Sequence, residues 1–468
     1  MADFQNVQIE GLRVDLPFAN VGHHGDPRLR ENDHRSRCHD EEEDPKRNNI
    51  VSSEIADAKR FVRVGGDDMR AMRATSGHWM KIQHLSDVFV VLSAFQSIYL
   101  VYGNGTIKEA NGLEHKGTIK TIEGDNGDII DCVDIHKQPA FDNPLINDLQ
   151  MKPSSYPDGI KQDPKIEFEI RQDWNKNEEC PEGTIPIRRN SNTSYYEDYH
   201  KKSFFTMQYQ GNQSLQRSEV RYEYAMAIDE GSPYYGTQAV FNVWNPLTKG
   251  NEFSASQLWI TSSSPKLNTI EVGWMVYPNK YGNTHTHFFI YWTADNYQKT
   301  GCFDFDCPGF VQTHRNYAIG ATITPTSTYG GNLHEVSVNI FKDIPSGNWW
   351  LVISGYVVGY WPKSIFTGLA DHATSVKWGG EILNSRSSGH HTTTQMGSGH
   401  FSGEGYHRSS YIRQLKVADS GLFPREPGHL TKLVTTPSCY NLNMFKNPRT
   451  MMGTHIYFGG PGFSSTCT

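Results

Sequence analysis

The sequence predicts an all-β protein: an antiparallel β-sandwich of two curved sheets, preceded by a small pro-domain. Three observations carry this. Aromatic residues make up 12% of the 468 positions and glycine fills 42 of them, a composition suited to many short strands joined by turns. From about Phe204 onward, short stretches with period-two alternation follow one another with turn signals between, as in Ala225–Ile228, Gln238–Trp244 and Gln257–Ile260. The clearest alternation opens at Ile270, and the rest of the chain is read around it.

In IEVGWMV, Ile270, Val272, Trp274 and Val276 share one parity, while Glu271, Gly273 and Met275 share the other. That is a strand with one buried face. A turn signal at Gly282 and a second aromatic run, Phe288–Trp292, extend it into a long hairpin or meander. The segment SVKWGGEIL repeats the arrangement, with Val376, Trp378, Gly380 and Ile382 on the buried parity and Lys377, Gly379, Glu381 and Leu383 opposite. Each glutamate therefore shares its face with a glycine two positions away, Gly273 beside Glu271 and Gly379 beside Glu381. Glycine inside a strand loses packing and chain entropy. The two placements point either to the close approach of another backbone, leaving a substrate free to enter, or to bulges and bends in a curved sheet.

The strings TIEVGWMVYP, FFIYWTADNYQKTGCFDFDCPGFVQ, WGGEI, TTTQMGSGHF and YFGGPGFSSTC, in that order, resemble the neprosin family of plant glutamic peptidases. The upstream DCVDIHKQPAFDNPLI resembles that family's activation peptide, so the likeness runs from about Thr118 to Cys467. It implies an endopeptidase made as a zymogen that cuts after proline, and it puts the catalytic glutamates on Glu271 and Glu381. Two facing carboxyls cannot both ionise cheaply and hold one proton between them in acid. The ionised partner then takes a proton from the attacking water, and the protonated one stabilises the oxyanion. The sequence does not assign the two roles. Gly273 and Gly379 would admit the peptide; Tyr277 has the right parity for a proline pocket but lies about 20 Å along the strand from Glu271.

The chain before this domain divides by composition. Residues 1–79 include the charged, aperiodic run DPRLRENDHRSRCHDEEEDPKR and are expected to be a disordered upstream extension. Residues 80–103, with Lys81 near the start and an apolar stretch Val88–Tyr102, have the shape of a signal peptide and are too short for a bilayer span. Residues 104–203 then form the activation propeptide and linker, and 204–468 the catalytic domain. Sequons at Asn104, Asn192 and Asn212 are glycosylation candidates in a secreted, cell-wall, apoplastic or vacuolar protein.

Of seven cysteines, Cys38 falls in the extension and six remain, an even set suited to an oxidising compartment. Grouping by region joins Cys302 with Cys307, Cys439 with Cys467 and Cys132 with Cys180, although six cysteines allow 15 connectivities. No zinc-ligand spacing accompanies them, and His285 and His287 read as exposed strand histidines, so no metal or other cofactor is expected. A net charge of −7 and a pI near 6.3 give no reason to expect nucleic acid or a stable membrane association. The expected partners are proline-containing peptides and the chain's own propeptide, with the protein a monomer. No G-x-S-x-G, H-E-x-x-H, Walker loop or G-x-G-x-x-G at a strand-to-helix junction occurs. The Gly-rich stretch 388–406 reads as a strand pair with a loop bordering the cleft. Two rival readings are a glycoside hydrolase, which also uses paired carboxylates, and a non-catalytic protein that binds cell-wall polysaccharide.

Overall fold

The computed structural model describes residues 113–157, 171–190, 221–385, 389–446 and 449–468, together with the backbone of short strands between Phe61 and Glu109 that pair in sequence order. Of the 1–79 extension only the backbone of Phe61–Val64 and Trp79 is described, in strands where disorder was expected; Cys38, Asn104, Asn192 and Asn212 lie outside the described residues. The proposed signal segment is described only as backbone, within the strands Trp79–Ile82, Val88–Leu92 and Ile98–Tyr102.

Two antiparallel sheets form the sandwich. One has seven strands, in the order Cys302–Phe303, His287–Thr293, Asn268–Val276, Ser254–Ser262, Ala373–Asn384, Arg221–Tyr234 and Leu430–Val434. The other has nine and contains Gly236–Asn242 between Glu335–Lys342 and Ser410–Ala418. The core-facing parity is the one the alternation picks out: Ile270, Val272, Trp274, Val376, Trp378 and Ile382 meet Phe241, Ile340, Ile412 and Phe458 in one buried cluster. Each fully buried tryptophan removes roughly 200 Å² from water, about 5 kcal/mol of gross transfer free energy. A polar replacement at Trp274 or Trp378 would have no way to recover that.

The alternation misleads on the other face. Ser254–Ser262, Asn268–Val276 and His287–Thr293 are buried at every residue. A second cluster, with Phe253, Met275, Tyr277, Phe289, Tyr291 and Phe303, covers the parity that holds Glu271. Glu271 therefore does not sit on a solvated sheet face.

The pro-domain is a three-stranded antiparallel sheet of Thr118–Glu123, Ile129–Asp134 and Thr184–Arg188. The Cys132–Cys180 disulfide ties it to the segment before the last strand. It docks on one side of the sandwich. Ile122, Ile130 and Trp174 pack on Ala318 and Ala321. The Gln138 amide accepts from Gln312 N (2.8 Å) and donates to Gln312 O (3.1 Å). The Gln138 side chain thus pairs in both directions with the Gln312 backbone, as a buried amide must. The other disulfides are Cys302–Cys307 and Cys439–Cys467, so all three pairs are those the regional grouping joined.

Three further expectations are corrected. The 388–406 stretch forms no strand pair among its described residues: Met396 bridges to Gly460, and Ser402–Glu404 is a short 3-10 turn. It also runs beneath the core face of the Glu381 strand, where Met396 meets Gly380, and so does not border the glutamate face. Its hydroxyls are used by a buried carboxylate, since Thr392 and Thr394 both donate to Glu252. His287 is fully buried, stacked on Tyr281 at 4.0 Å between ring centres, so it is not an exposed strand histidine.

Candidate active site

The strand Ser254–Ser262 lies between the two glutamate strands, and its register locates both acids. Trp259 pairs with Glu271 on one side and Lys377 on the other; Gln257 pairs with Gly273 and Gly379; Ala255 pairs with Met275 and Glu381. All of these share one face of the sheet. Glu271 therefore stands at the Trp259 end of the site and Glu381 at the Ala255 end, with Gln257 between. On a flat sheet their Cα atoms would be roughly 16 Å apart. Glu381 reaches toward the centre, where Gln257 meets it, and the charge on Glu271 is felt at Glu381.

The glycines turn out to serve the sheet itself. A Cβ on Gly273 would fall 2.0 Å from Ser256 O and 2.7 Å from Gln257 Cα; one on Gly379 would fall 2.2 Å from Ala225 O and 2.6 Å from Met226 Cα. The backbone that comes close is thus the neighbouring strand, and the register passes through both glycines without a bulge. Gly273→Ala is expected to push the Gln257 strand away, at a cost of about 1–3 kcal/mol, and to displace both glutamates. A fall in Tm together with a loss of activity would show it; a variant unchanged in both would contradict this account of the glycine.

Glu271 is buried, and its Oε1 accepts from Thr269 Oγ1 (2.9 Å) and Tyr297 Oη (2.9 Å). Burial raises its carboxyl above the usual range, while those two hydroxyls and the Lys377 charge pull it back. Glu381 is buried too, and its Oε2 accepts from Gln257 Nε2 at 2.5 Å. Burial and then repulsion from Glu271 push its carboxyl well above the ordinary value, against weaker opposition from Tyr224 and Gln257. The environments thus separate the two acids in the way a proton-sharing pair requires. Gln257 Oε1 has no hydrogen-bond partner among the described residues, a buried acceptor left over in the middle of the site.

Sequence reasoning missed Gln257, Thr269, Tyr224 and Tyr297. Parity alone could have raised Gln257, which alternates with Trp259 in an apolar run, but only the register shows that it stands opposite both glycines. Tyr277 stands near Glu381 instead of Glu271. It does lie far along its strand from Glu271, yet it packs on Phe253 (5.3 Å between ring centres). Phe253 precedes Ser254, the partner of Ile382, so Tyr277 belongs to the Glu381 end.

Fold and site together define a class: a β-sandwich with two buried carboxyls at the middle of one sheet and a pro-domain docked at its side. The family model for Neprosin matches residues 250–461 and that for the Neprosin activation peptide matches residues 121–228, together more than half of the chain. The chain belongs to the neprosin family. It is a peptidase zymogen, and the activation-peptide match ends inside the first strand of the sandwich, Arg221–Tyr234.

Among solved structures the chain is similar to scytalido-glutamic peptidase with a peptide-based transition-state analogue. They share 9% identity with a TM-score of 0.28, over 52% of this chain and 99% of that one. It is also similar to SCP-B, a member of the eqolisin family of peptidases in complex with the tripeptide Ala-Ile-His, at 9% identity and a TM-score of 0.29, over 51% of this chain and 98% of that one. A β-porphyranase from the human gut bacterium Bacteroides plebeius matches at 7% identity and a TM-score of 0.19, over 32% of this chain and 53% of that one. At such TM-scores these likenesses carry no weight for function.

Proposed function

We propose that the protein is a secreted glutamic endopeptidase that hydrolyses the bond after proline in acid, with Glu381 as the protonated partner and Glu271 as the ionised one. The observation that carries this is the unequal support of the two carboxyls. Glu271 takes two hydroxyl hydrogen bonds and faces Lys377 across Trp259, which favours its charged form. Glu381 has Gln257 and Tyr224 as donors but, among the described residues, no cation beside it, and a carboxylate for a neighbour, which favours its neutral form.

The chemistry then balances with water alone. Glu271 takes one proton as the water oxygen bonds to the scissile carbonyl carbon, and the Glu381 hydroxyl donates a hydrogen bond to the oxygen that gains charge. When the C–N bond breaks, the proton held by Glu271 passes to the departing nitrogen. Glu271 is left ionised and Glu381 protonated, ready for the next cycle. A proline ring needs an apolar wall at a fixed place, and Tyr222, Phe253, Tyr277 and Leu383, grouped at the Glu381 end, offer one.

The experiment is peptide mapping of protein digests at acid pH beside a polysaccharide-release assay. New termini concentrated after proline, with no sugar released, are expected. Sugar release without peptide cleavage would replace this reading by the glycoside hydrolase, and neither product would leave the polysaccharide binder.

A further inference from the structure

The loop after the strand His287–Thr293 is built around one carboxylate. Asp295 accepts from the backbone N–H groups of Gln298 (3.1 Å), Lys299 (2.9 Å) and Thr300 (3.1 Å), and from Thr300 Oγ1 (2.7 Å). Inside this turn Asn296 and Tyr297 take positive φ values of 62° and 57°. Asparagine tolerates that region, whereas tyrosine is a rare occupant, at a cost on the order of 1 kcal/mol or more. What the strained conformation achieves is visible at both ends of Tyr297. Its N–H donates to Thr293 Oγ1 at 3.0 Å, and its phenol reaches Glu271 Oε1 at 2.9 Å.

We propose that Tyr297 is a positioning residue for proton transfer at Glu271, delivered by the Asp295-centred loop. Resting on the reading that Glu271 is the ionised partner, it gives that partner its orientation and its working pH. Both hydroxyl bonds, from Tyr297 and Thr269, fall on Oε1, so the proton of water is taken by Oε2. The titratable groups facing Glu271 are Glu381, Lys377, Tyr222, Tyr224 and its cross-strand partner Tyr291, besides Tyr297 itself. Of these only Lys377 also favours the charged form of Glu271. Removing the phenol hydroxyl therefore leaves the charge less supported, and the Glu271 pKa rises.

The test is Tyr297→Phe, nearly isosteric, with kcat/KM followed across the acid range in the mature enzyme. Rate falls on the acid side as the base takes up a proton, so a raised Glu271 pKa moves that limb to higher pH. A shift of about one unit and a roughly tenfold loss of kcat with little change in KM are expected. A merely structural role would lower Tm without moving the limb, and a limb at the wild-type position overturns the proposal. If Tyr297→Phe fails to fold, Asp295→Asn, which loosens the loop that carries the phenol, is expected to move the limb the same way by less; an unmoved limb there is equally decisive. Loss of activity in Glu271→Gln separates the two levels: if that variant stays active, the two-glutamate reading fails, whatever Tyr297→Phe does.

Discussion

Arg188→Ala is expected to free the pro-domain from the sandwich while the sandwich itself stays folded. Arg188, on the last pro-domain strand, is buried; it donates through Nε to Asp128 Oδ1 (2.6 Å) and through Nη2 to Tyr281 O (2.8 Å). Asp128 Oδ2 in turn accepts from Thr322 N at 2.8 Å. One arginine and one aspartate therefore each hold the other and each bond the sandwich. Removing the guanidinium leaves a buried carboxylate unpaired, which costs about 3–5 kcal/mol. Protease susceptibility of the 171–190 region and activity at neutral pH should both rise. A variant as latent and as resistant as the wild type would show that the docking does not depend on this pair.

The same junction gives docking its pH dependence. Burial pushes the Asp128 carboxyl up, but the Arg188 charge, with help from the Thr322 amide, more than reverses it, so its pKa is lowered. Its contribution is present above the free-state value and is lost as pH falls through the docked one. His287 is pushed down to about 3, first by burial and next by Arg188. Asp128, whose charge holds the His287 pKa up, departs together with Arg188, so the two losses largely offset and His287 adds little to the pH dependence. Asp304, raised to about 6 by burial against the Lys280 charge, has the opposite sign. Both of those groups belong to the sandwich and stay together when the pro-domain leaves, so Asp304 opposes release little. Asp306 accepts from Lys280 (2.7 Å) and from the pro-domain's Asn190 (2.9 Å). The balance favours a complex closed at neutral pH and loosened in acid.

The fold was legible where a local period decides it. Ile270, Val272 and Trp274 face the core because period two on a strand leaves no other choice. The covering of the opposite face was not legible, because Phe253, Phe289 and Phe303 come from three separate segments and meet only in the folded chain. Both glutamates stood out through their glycines, and of the two reasons offered for them the close approach of another backbone holds and a bulge does not, the backbone being the neighbouring strand. The acid-rich pro-segment, residues 121–135, carries five carboxylates that composition alone does not tell apart. The structure divides it: Asp128 bonds the sandwich, Asp131 pairs with His115 and Arg189 inside the pro-domain, and Glu123 and Asp125 are exposed. Parity could raise Gln257 but not place it, because register is non-local, and Tyr297 leaves no periodic trace because its position depends on a strained loop.

Catalysis by the two carboxyls is tested most directly by the turnover of Glu271→Gln and Glu381→Gln, measured side by side on one proline-containing peptide at acid pH. An amide matches the acid in volume, so both variants should keep the wild-type Tm, but neither new side chain can take up or surrender a catalytic proton. A general base or acid contributes about two to four orders of magnitude. Glutamine at 381 is neutral, as the proposed acid is, and can still donate a hydrogen bond to the oxyanion, so its loss belongs at the lower end of that range. Glutamine at 271 removes the base outright and belongs at the upper end. The account predicts kcat lower by about a hundredfold in Glu381→Gln and by about ten thousandfold in Glu271→Gln; wild-type turnover in either variant would contradict it.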